Sequence, residues 1–188
     1  MAIITNITVV GSGVMGRGIA YAGAVGGFRV TIVDVNSAAL DSAQTEIEAI
    51  MEKGIQYGKL SPEKAEEAKG RLFFLSSLEK AAEEAELIIE AVPEKEQIKR
   101  AVFETIEQYA KADCYFATNT STMSPTEIAS YANRPEKTIA MHFFNPVHKM
   151  PLVEIVKGLE TSDETVAVVK DVAEKMGKET VVINEFPG

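Results

Sequence analysis

Two stretches of this 188-residue chain hold residues whose types and spacing suit a reaction. In MHFFNPVHKMPLVEIV, residues 141–156, His142 and Glu154 are equidistant from His148. If the flanking segments pair as antiparallel strands about that central loop, the two side chains face each other at about 5 Å between Cβ atoms. A carboxylate beside an imidazole fixes the ring's tautomer and stabilises the imidazolium formed when the ring takes a proton, which suits a general base acting on an alcohol. Taken alone, such a histidine is more often a satisfied core residue. His148, between Pro146 and Pro151, reads as a surface loop residue.

The second stretch, residues 7–36, is ITVVGSGVMGRGIAYAGAVGGFRVTIVDVN. It puts Gly11, Gly13, Gly16 and Gly18 within eight residues, between two β-branched runs. Glycine loses the most entropy on ordering, so the cluster implies that something approaches the backbone too closely for a Cβ. GSGVMG has the form G-x-G-x-x-G, directly after a predicted strand and opening a predicted helix, and Asp34 ends the next strand. In that pattern Gly11 makes the tight turn, Gly13 leaves room for a pyrophosphate, Gly16 lets helix and sheet pack closely, and the helix N-terminus supplies amides and a partial positive charge. Asp34 is placed to accept from adenosine ribose hydroxyls and to repel a 2′-phosphate. Val35 and Asn36 provide no compensating arginine, so NAD is expected over NADP. With this motif upstream, the base reading of His142 gains over the core reading.

Two further polar stretches leave predicted strands at the edge where open α/β sheets bind ligands. In TNTSTMS, residues 118–124, Asn119 and Ser121 are candidates, while Ser124 reads as a helix cap. In EAVPEKEQIK, residues 90–99, Pro93 ends a strand and Glu94 and Lys99 are within reach of a cofactor. By themselves that pair reads as an ordinary solvated ion pair on the first turns of a helix.

These residues need elements to position them. Strands are predicted at residues 3–10, 29–33, 72–75, 86–92, 115–118, 138–144, 152–156 and 180–183, several of them apolar on both faces. Helical periodicity fills residues 14–25, 37–57, 63–69 and 95–110. Ser61 and Pro62 start the third of these helices. Ser124, Pro125 and Glu127 form a capping box opening a helix to about Ala132, and Ser162 or Asp163 caps a last helix ending before Gly177. The alternation implies a doubly wound, mainly parallel, Rossmann-like α/β sheet with a helical hairpin insertion, and allows antiparallel pairing between residues 138 and 156, where no helix intervenes.

Composition narrows the partners. The chain suits one domain, 46% hydrophobic, with a net charge of −9 and no run of lysines or arginines. That argues against nucleic acid or an anionic membrane, so an anionic ligand must be held by local features. A single cysteine, Cys114, permits no internal disulfide and reads as a buried, inert thiol. No signal, transit or membrane-spanning segment is legible and no metal site is expected, so the cytoplasm is the expected location.

Together, Gly11-Ser12-Gly13-Val14-Met15-Gly16, Glu90-Ala91-Val92-Pro93-Glu94, Asn119-Thr120-Ser121 and His142-Phe143-Phe144-Asn145-Pro146 followed by Glu154 resemble the NAD-binding domain of the 3-hydroxyacyl-CoA dehydrogenases, particularly the bacterial 3-hydroxybutyryl-CoA dehydrogenases. The likeness spans the whole chain. It implies His142 as general base on the 3-hydroxyl, Glu154 as its orienting partner, Ser121 bonded to the substrate's hydroxyl or carbonyl oxygen, and Asn145 supporting the site. It also implies that Glu94 and Lys99 line the nicotinamide end of NAD, and that Val14, Met15, Ala91, Val92 and Asn119 join Gly11, Gly13, Gly16 and Asp34 in the cofactor site. The hairpin corresponding to residues 37–69 walls the coenzyme A site in that family, with Lys53 and Lys59 the available cations. Thr122 stands where many relatives have a second serine.

Members of the family continue past the segment resembling INEFPG into a helical domain of roughly a hundred residues. That domain carries an asparagine of the active site and most of a homodimer interface. Either this chain is an amino-terminal domain excised or truncated from a longer enzyme or the protein is naturally this short; Phe186, Pro187 and Gly188 read as a hinge, which favours the first. Two other readings stay open. One is a 3-hydroxyisobutyrate or 6-phosphogluconate type dehydrogenase, which shares the glycine motif but uses a lysine acid/base. The other is an NAD-binding module without turnover.

Overall fold

The computed structural model describes residues 2–185, so the expected hinge at residues 186–188 lies outside the described residues. Eight strands form one sheet: β1 (Asn6–Val10), β2 (Arg29–Val33), β3 (Leu72–Leu75), β4 (Leu87–Glu90), β5 (Tyr115–Thr118), β6 (Thr138–Phe143), β7 (Leu152–Lys157) and β8 (Glu179–Asn184). Their order is β3-β2-β1-β4-β5-β6-β7-β8. Every neighbouring pair is parallel except β6–β7. The sheet order reverses between β1 and β4, so their carboxyl ends diverge and open a crevice there.

The central strands are apolar on both faces because helices cover both. Ile7, Val9, Leu87 and Ile89 point into a core shared with α1 (Val14–Val25), α2 (Ser37–Gln56), α3 (Pro62–Gly70) and α7 (Asp163–Lys175). Val10, Ile88, Cys114 and Phe116 point the other way, against α4 (Leu78–Glu84), α5 (Glu96–Tyr109) and α6 (Pro125–Ala129). This period-two division has a consequence at the sheet's edge. Glu90 and Thr118, register partners at the ends of β4 and β5, follow Ile88 and Phe116 onto the α5 side and are fully buried there.

Local chemistry sets the helix ends. Ser61, Ser124 and Ser162 each accept a backbone N–H from the first turn of the helix that follows, with proline at the start of α3 and α6. Several boundaries differ from the sequence reading. The capping box at Ser124 is half formed: Glu127 N–H donates to Ser124 Oγ, but the Glu127 carboxylate accepts from Tyr131 instead of reaching back. α6 ends at Ala129, not Ala132, and Pro135 starts a 3₁₀ turn shortly beyond. β1 begins at Asn6, not Ile3, because the Glu86 carboxylate takes the N–H groups of Thr5 and Asn6. β4 stops at Glu90, where the chain turns out of the sheet. α4, capped by Ser77, is an added element whose seven residues are too few to display a helical period.

Among the described residues, no helix is long and apolar enough to cross a membrane. Nor do three or more His, Cys, Asp or Glu residues gather where they could hold a metal ion.

Candidate active site

The crevice between β1 and β4 is a cleft of about 1110 Å³. Gly11, Gly13, Val14 and Met15 line it from the glycine loop, Asp34 from the end of β2, and Ala91 and Val92 from the turn after β4. Gly11 has φ +100°, and a Cβ there would lie 2.7 Å from the Ala91 carbonyl oxygen. At Gly16 a Cβ would meet the Gly11 carbonyl oxygen at 1.8 Å, so this glycine closes the loop onto its own helix. Gly13 differs from both: nothing lies within 4 Å of a Cβ built on it, so the fold alone does not require glycine there.

Asp34 does more than face the cleft. One carboxylate oxygen accepts both the N–H and the hydroxyl of Ser12, at 2.9 and 2.7 Å, and the other accepts Asn36 N–H at 3.0 Å. Burial opposes its ionisation, but these donors outweigh burial and hold its carboxyl below the ordinary aspartate range. Arg17, paired with Glu46 at 3.5 Å, also lines the cleft; sequence reading passed over it because a lone arginine inside a helix carries no motif.

At the carboxyl end of β6, His142 and Glu154 are register partners across the antiparallel pair. His142 Nδ1 and Glu154 Oε2 are 2.9 Å apart, with the side chains 21% and 32% exposed. The bond occupies Nδ1, and Nε2 has no partner among the described residues. The ring also packs on Phe144, with centroids 4.6 Å apart. Asn119 Oδ1 accepts Phe143 N–H at 2.9 Å, tying the end of β5 to the strand that carries the histidine. Ser121 and Asn145 stand exposed on the neighbouring loops. His148 is exposed, in edge contact with Tyr21 at 6.3 Å between centroids. Its pKa is lowered first by partial burial and then by Lys149, Lys178, Lys53 and Lys59, whose charges converge on this rim.

Glu94 and Lys99 are not the solvated pair their spacing suggests. Lys99 is 1% exposed, off the cleft wall, and bonded to both oxygens of the fully buried Glu90 at 2.9 and 2.8 Å. Glu94, also bonded to Lys99 at 3.2 Å, is the exposed end of this chain. Glu90, Thr118 and Thr120 had no local signal to betray them; only the parity of a buried strand points Glu90 inward.

The chain matches the model of "3-hydroxyacyl-CoA dehydrogenase, NAD binding domain" over residues 6–186. It is 40% identical over 185 residues to the probable 3-hydroxybutyryl-CoA dehydrogenase of Bacillus subtilis, covering 98% of this chain and 64% of that protein. It is 42% identical over 185 residues to the fatty acid oxidation complex subunit alpha of Psychrobacter arcticus, covering 98% of this chain and 26% of that protein. The crystal structure of (S)-3-hydroxybutyryl-CoA dehydrogenase from Ralstonia eutropha superposes with a TM-score of 0.95 at 33% identity, over 99% of this chain and 65% of that one. The chain thus spans from about a quarter to just under two thirds of the length of these relatives. On the strength of the glycine loop, the His142–Glu154 pair and a match running nearly end to end, this chain belongs to the 3-hydroxyacyl-CoA dehydrogenase family as its NAD-binding domain.

Proposed function

We propose that the chain is the nucleotide-binding and proton-handling part of an NAD-dependent 3-hydroxyacyl-CoA dehydrogenase that interconverts short-chain 3-hydroxyacyl-CoA, such as 3-hydroxybutyryl-CoA, and 3-oxoacyl-CoA. The observation that carries the reading is the 2.9 Å His142–Glu154 bond at the same sheet edge as the glycine-lined cleft. NAD fits this cleft on two grounds: the empty space over Gly13 suits a close backbone approach by a pyrophosphate, and the ionised Asp34 suits ribose hydroxyls and opposes a 2′-phosphate. Bound NAD supplies the hydride acceptor. The Gly13–Met15 amides hold its phosphates, and Ala91 and Val92 wall it.

His142 Nε2 takes the proton from the substrate's 3-hydroxyl while Glu154 steadies the ring's new positive charge. Ser121 donates to the same oxygen, and Asn145 supports the loop beside the ring. Lys53, Lys59, Lys149 and Lys178 give an acidic protein one cationic rim, suited to the phosphates of a coenzyme A thioester. The 3-hydroxyisobutyrate or 6-phosphogluconate alternative uses a lysine acid/base rather than a His-Glu pair, so the His142–Glu154 bond favours the first reading, and Lys99 beside the cleft is enclosed by carboxylates. We place the protein in the cytoplasm, with the remainder of the substrate pocket and a homodimer interface supplied by a helical domain outside this chain. Substrate positioning matters enough for that second wall to decide turnover, since a misplacement of about 1 Å costs on the order of 10²-fold.

Calorimetry with NADH and an acetoacetyl-CoA reduction assay test this. The chain is expected to bind NADH more tightly than NADPH and to turn over slowly alone, gaining activity when joined to the helical domain of a relative. Equal or better NADPH affinity would overturn the cofactor assignment. A joined protein that binds NADH but never reduces acetoacetyl-CoA would favour the non-catalytic module.

A further inference from the structure

The buried ionic chain behind the cleft is used by none of the steps above. Glu90, fully buried, has all its acceptor capacity engaged. Oε1 takes Val92 N–H at 2.8 Å and Lys99 Nζ at 2.9 Å, and Oε2 takes Lys99 Nζ at 2.8 Å and the Thr118 hydroxyl at 2.6 Å. Lys99 passes the connection to Glu94, at 3.2 Å. Glu94 Oε1 in turn accepts the hydroxyls of Thr120 and Thr122, the two residues that flank Ser121. Thr120 Oγ1 also accepts Met123 N–H at 2.9 Å, and Asn119 N–H donates to the Glu90 carbonyl at 2.8 Å. One carboxylate at the end of β4 thus ties together the turn that walls the cleft, the first turns of α5 and the Ser121 loop.

An ion pair this deep adds little net stability over an apolar pair of the same shape, because desolvating two charges offsets their attraction. What it does supply is direction: Lys99 can offer its third proton to Glu94 only along the line that Glu90 fixes. We propose that Glu90 is a positioning residue, acting through Lys99 to hold Glu94 and the Ser121 loop beside the turn that walls the cleft, in the geometry that nucleotide binding there requires. Glu90 itself is fully buried and does not line the cleft. The inference rests on the NAD-binding reading of the cleft.

A double-mutant cycle on NADH affinity tests it, using Glu90→Gln, Lys99→Met and the two combined, each at a temperature where circular dichroism shows the variant folded. A merely structural role would move the melting temperature and leave the Kd of folded protein alone. The expected result is about a tenfold loss for each single variant and about the same tenfold for the double, because both act on one chain. A folded Glu90→Gln or Lys99→Met variant with unchanged Kd overturns the proposal, as does a double variant that is about a hundredfold weaker. If Glu90→Gln alone fails to fold, the double variant, which buries no unpaired charge, is compared with Lys99→Met: equal affinity supports the proposal and a further loss overturns it. Absence of NADH binding by the unaltered chain would instead defeat the NAD reading, and the inference with it.

Discussion

The two halves of the site are built on opposite principles. Around β1, the cleft is made from backbone: glycines bring the chain where side chains would collide, and Asp34 spends its oxygens on Ser12 and Asn36 as well as on the cleft. Around β6 and β7, the chemistry sits in side chains held by sheet register, with His142 opposite Glu154. Backbone suits a pyrophosphate, the part of the nucleotide that is held and not changed, whereas a proton must move through a group that can gain and lose it. Binding and turnover should therefore separate cleanly under mutation.

The sharpest way to break that separation is at the histidine. In a protein that reduces acetoacetyl-CoA, His142→Gln should cut turnover by about 10² to 10⁴ and leave NADH affinity nearly intact. Glu154→Gln should lower turnover less, since it removes only the partner of Nδ1. A variant that simply unfolds, with no kinetic loss in its folded fraction, would make His142 a core residue after all.

The glycine loop should break the other way, through binding. Gly16→Ala places a Cβ 1.8 Å from the Gly11 carbonyl oxygen, so it should destabilise by about 3 kcal/mol in urea unfolding and distort the loop. Gly13→Ala meets nothing within 4 Å and should leave stability within about 0.5 kcal/mol. It should nevertheless weaken NADH binding by about tenfold or more, because the methyl occupies the approach of the pyrophosphate. Unchanged NADH affinity in Gly13→Ala would remove the close-approach argument while leaving the fold argument for Gly16 in place.

That contrast also explains what the sequence made legible. The glycine loop is local as a pattern: strand, turn, helix and acid follow within thirty residues, and Gly16 answers a contact inside that span, although Gly11 answers one at Ala91, far along the chain. The His142–Glu154 pair is almost as local, because an antiparallel hairpin fixes register by counting from its loop. The Glu90–Lys99 pair is not. Its members are nine residues apart, a spacing that also suits exposed charges, and its burial follows from helices and strands that meet it from elsewhere in the chain. α4 escaped for the converse reason, having a cap but too little length for periodicity.

A smaller effect is expected at Asp34. Asp34→Ser with Val35→Arg should narrow the gap between NADH and NADPH, by about tenfold in the affinity ratio, as the 2′-phosphate exchanges a repelling carboxylate for a guanidinium. Asp34 also anchors Ser12, so absolute NADH affinity should fall at the same time. Calorimetry with both nucleotides separates the two outcomes; an unchanged ratio would mean that Asp34 serves the loop and not cofactor choice.

The least effect belongs to the one residue whose type suggests chemistry but whose position denies it. Cys114 stands just before β5, at the opposite end of that strand from Asn119 and Ser121, and is fully buried in the α5-side core that also holds Phe116 and Ile106. Burial pushes its thiol up to about 12, with Arg134 opposing only part of the rise. At pH 8 the thiolate fraction is then about one part in ten thousand, and it is the thiolate that reacts. A disulfide reagent should leave the folded chain unlabelled over hours and label it within minutes in denaturant. Cys114→Ala should leave NADH affinity and any turnover unchanged. Rapid labelling of the folded chain would mean that the amino-terminal end of this sheet opens, and that the division between a reactive carboxyl edge and an inert opposite edge is less complete than its packing implies.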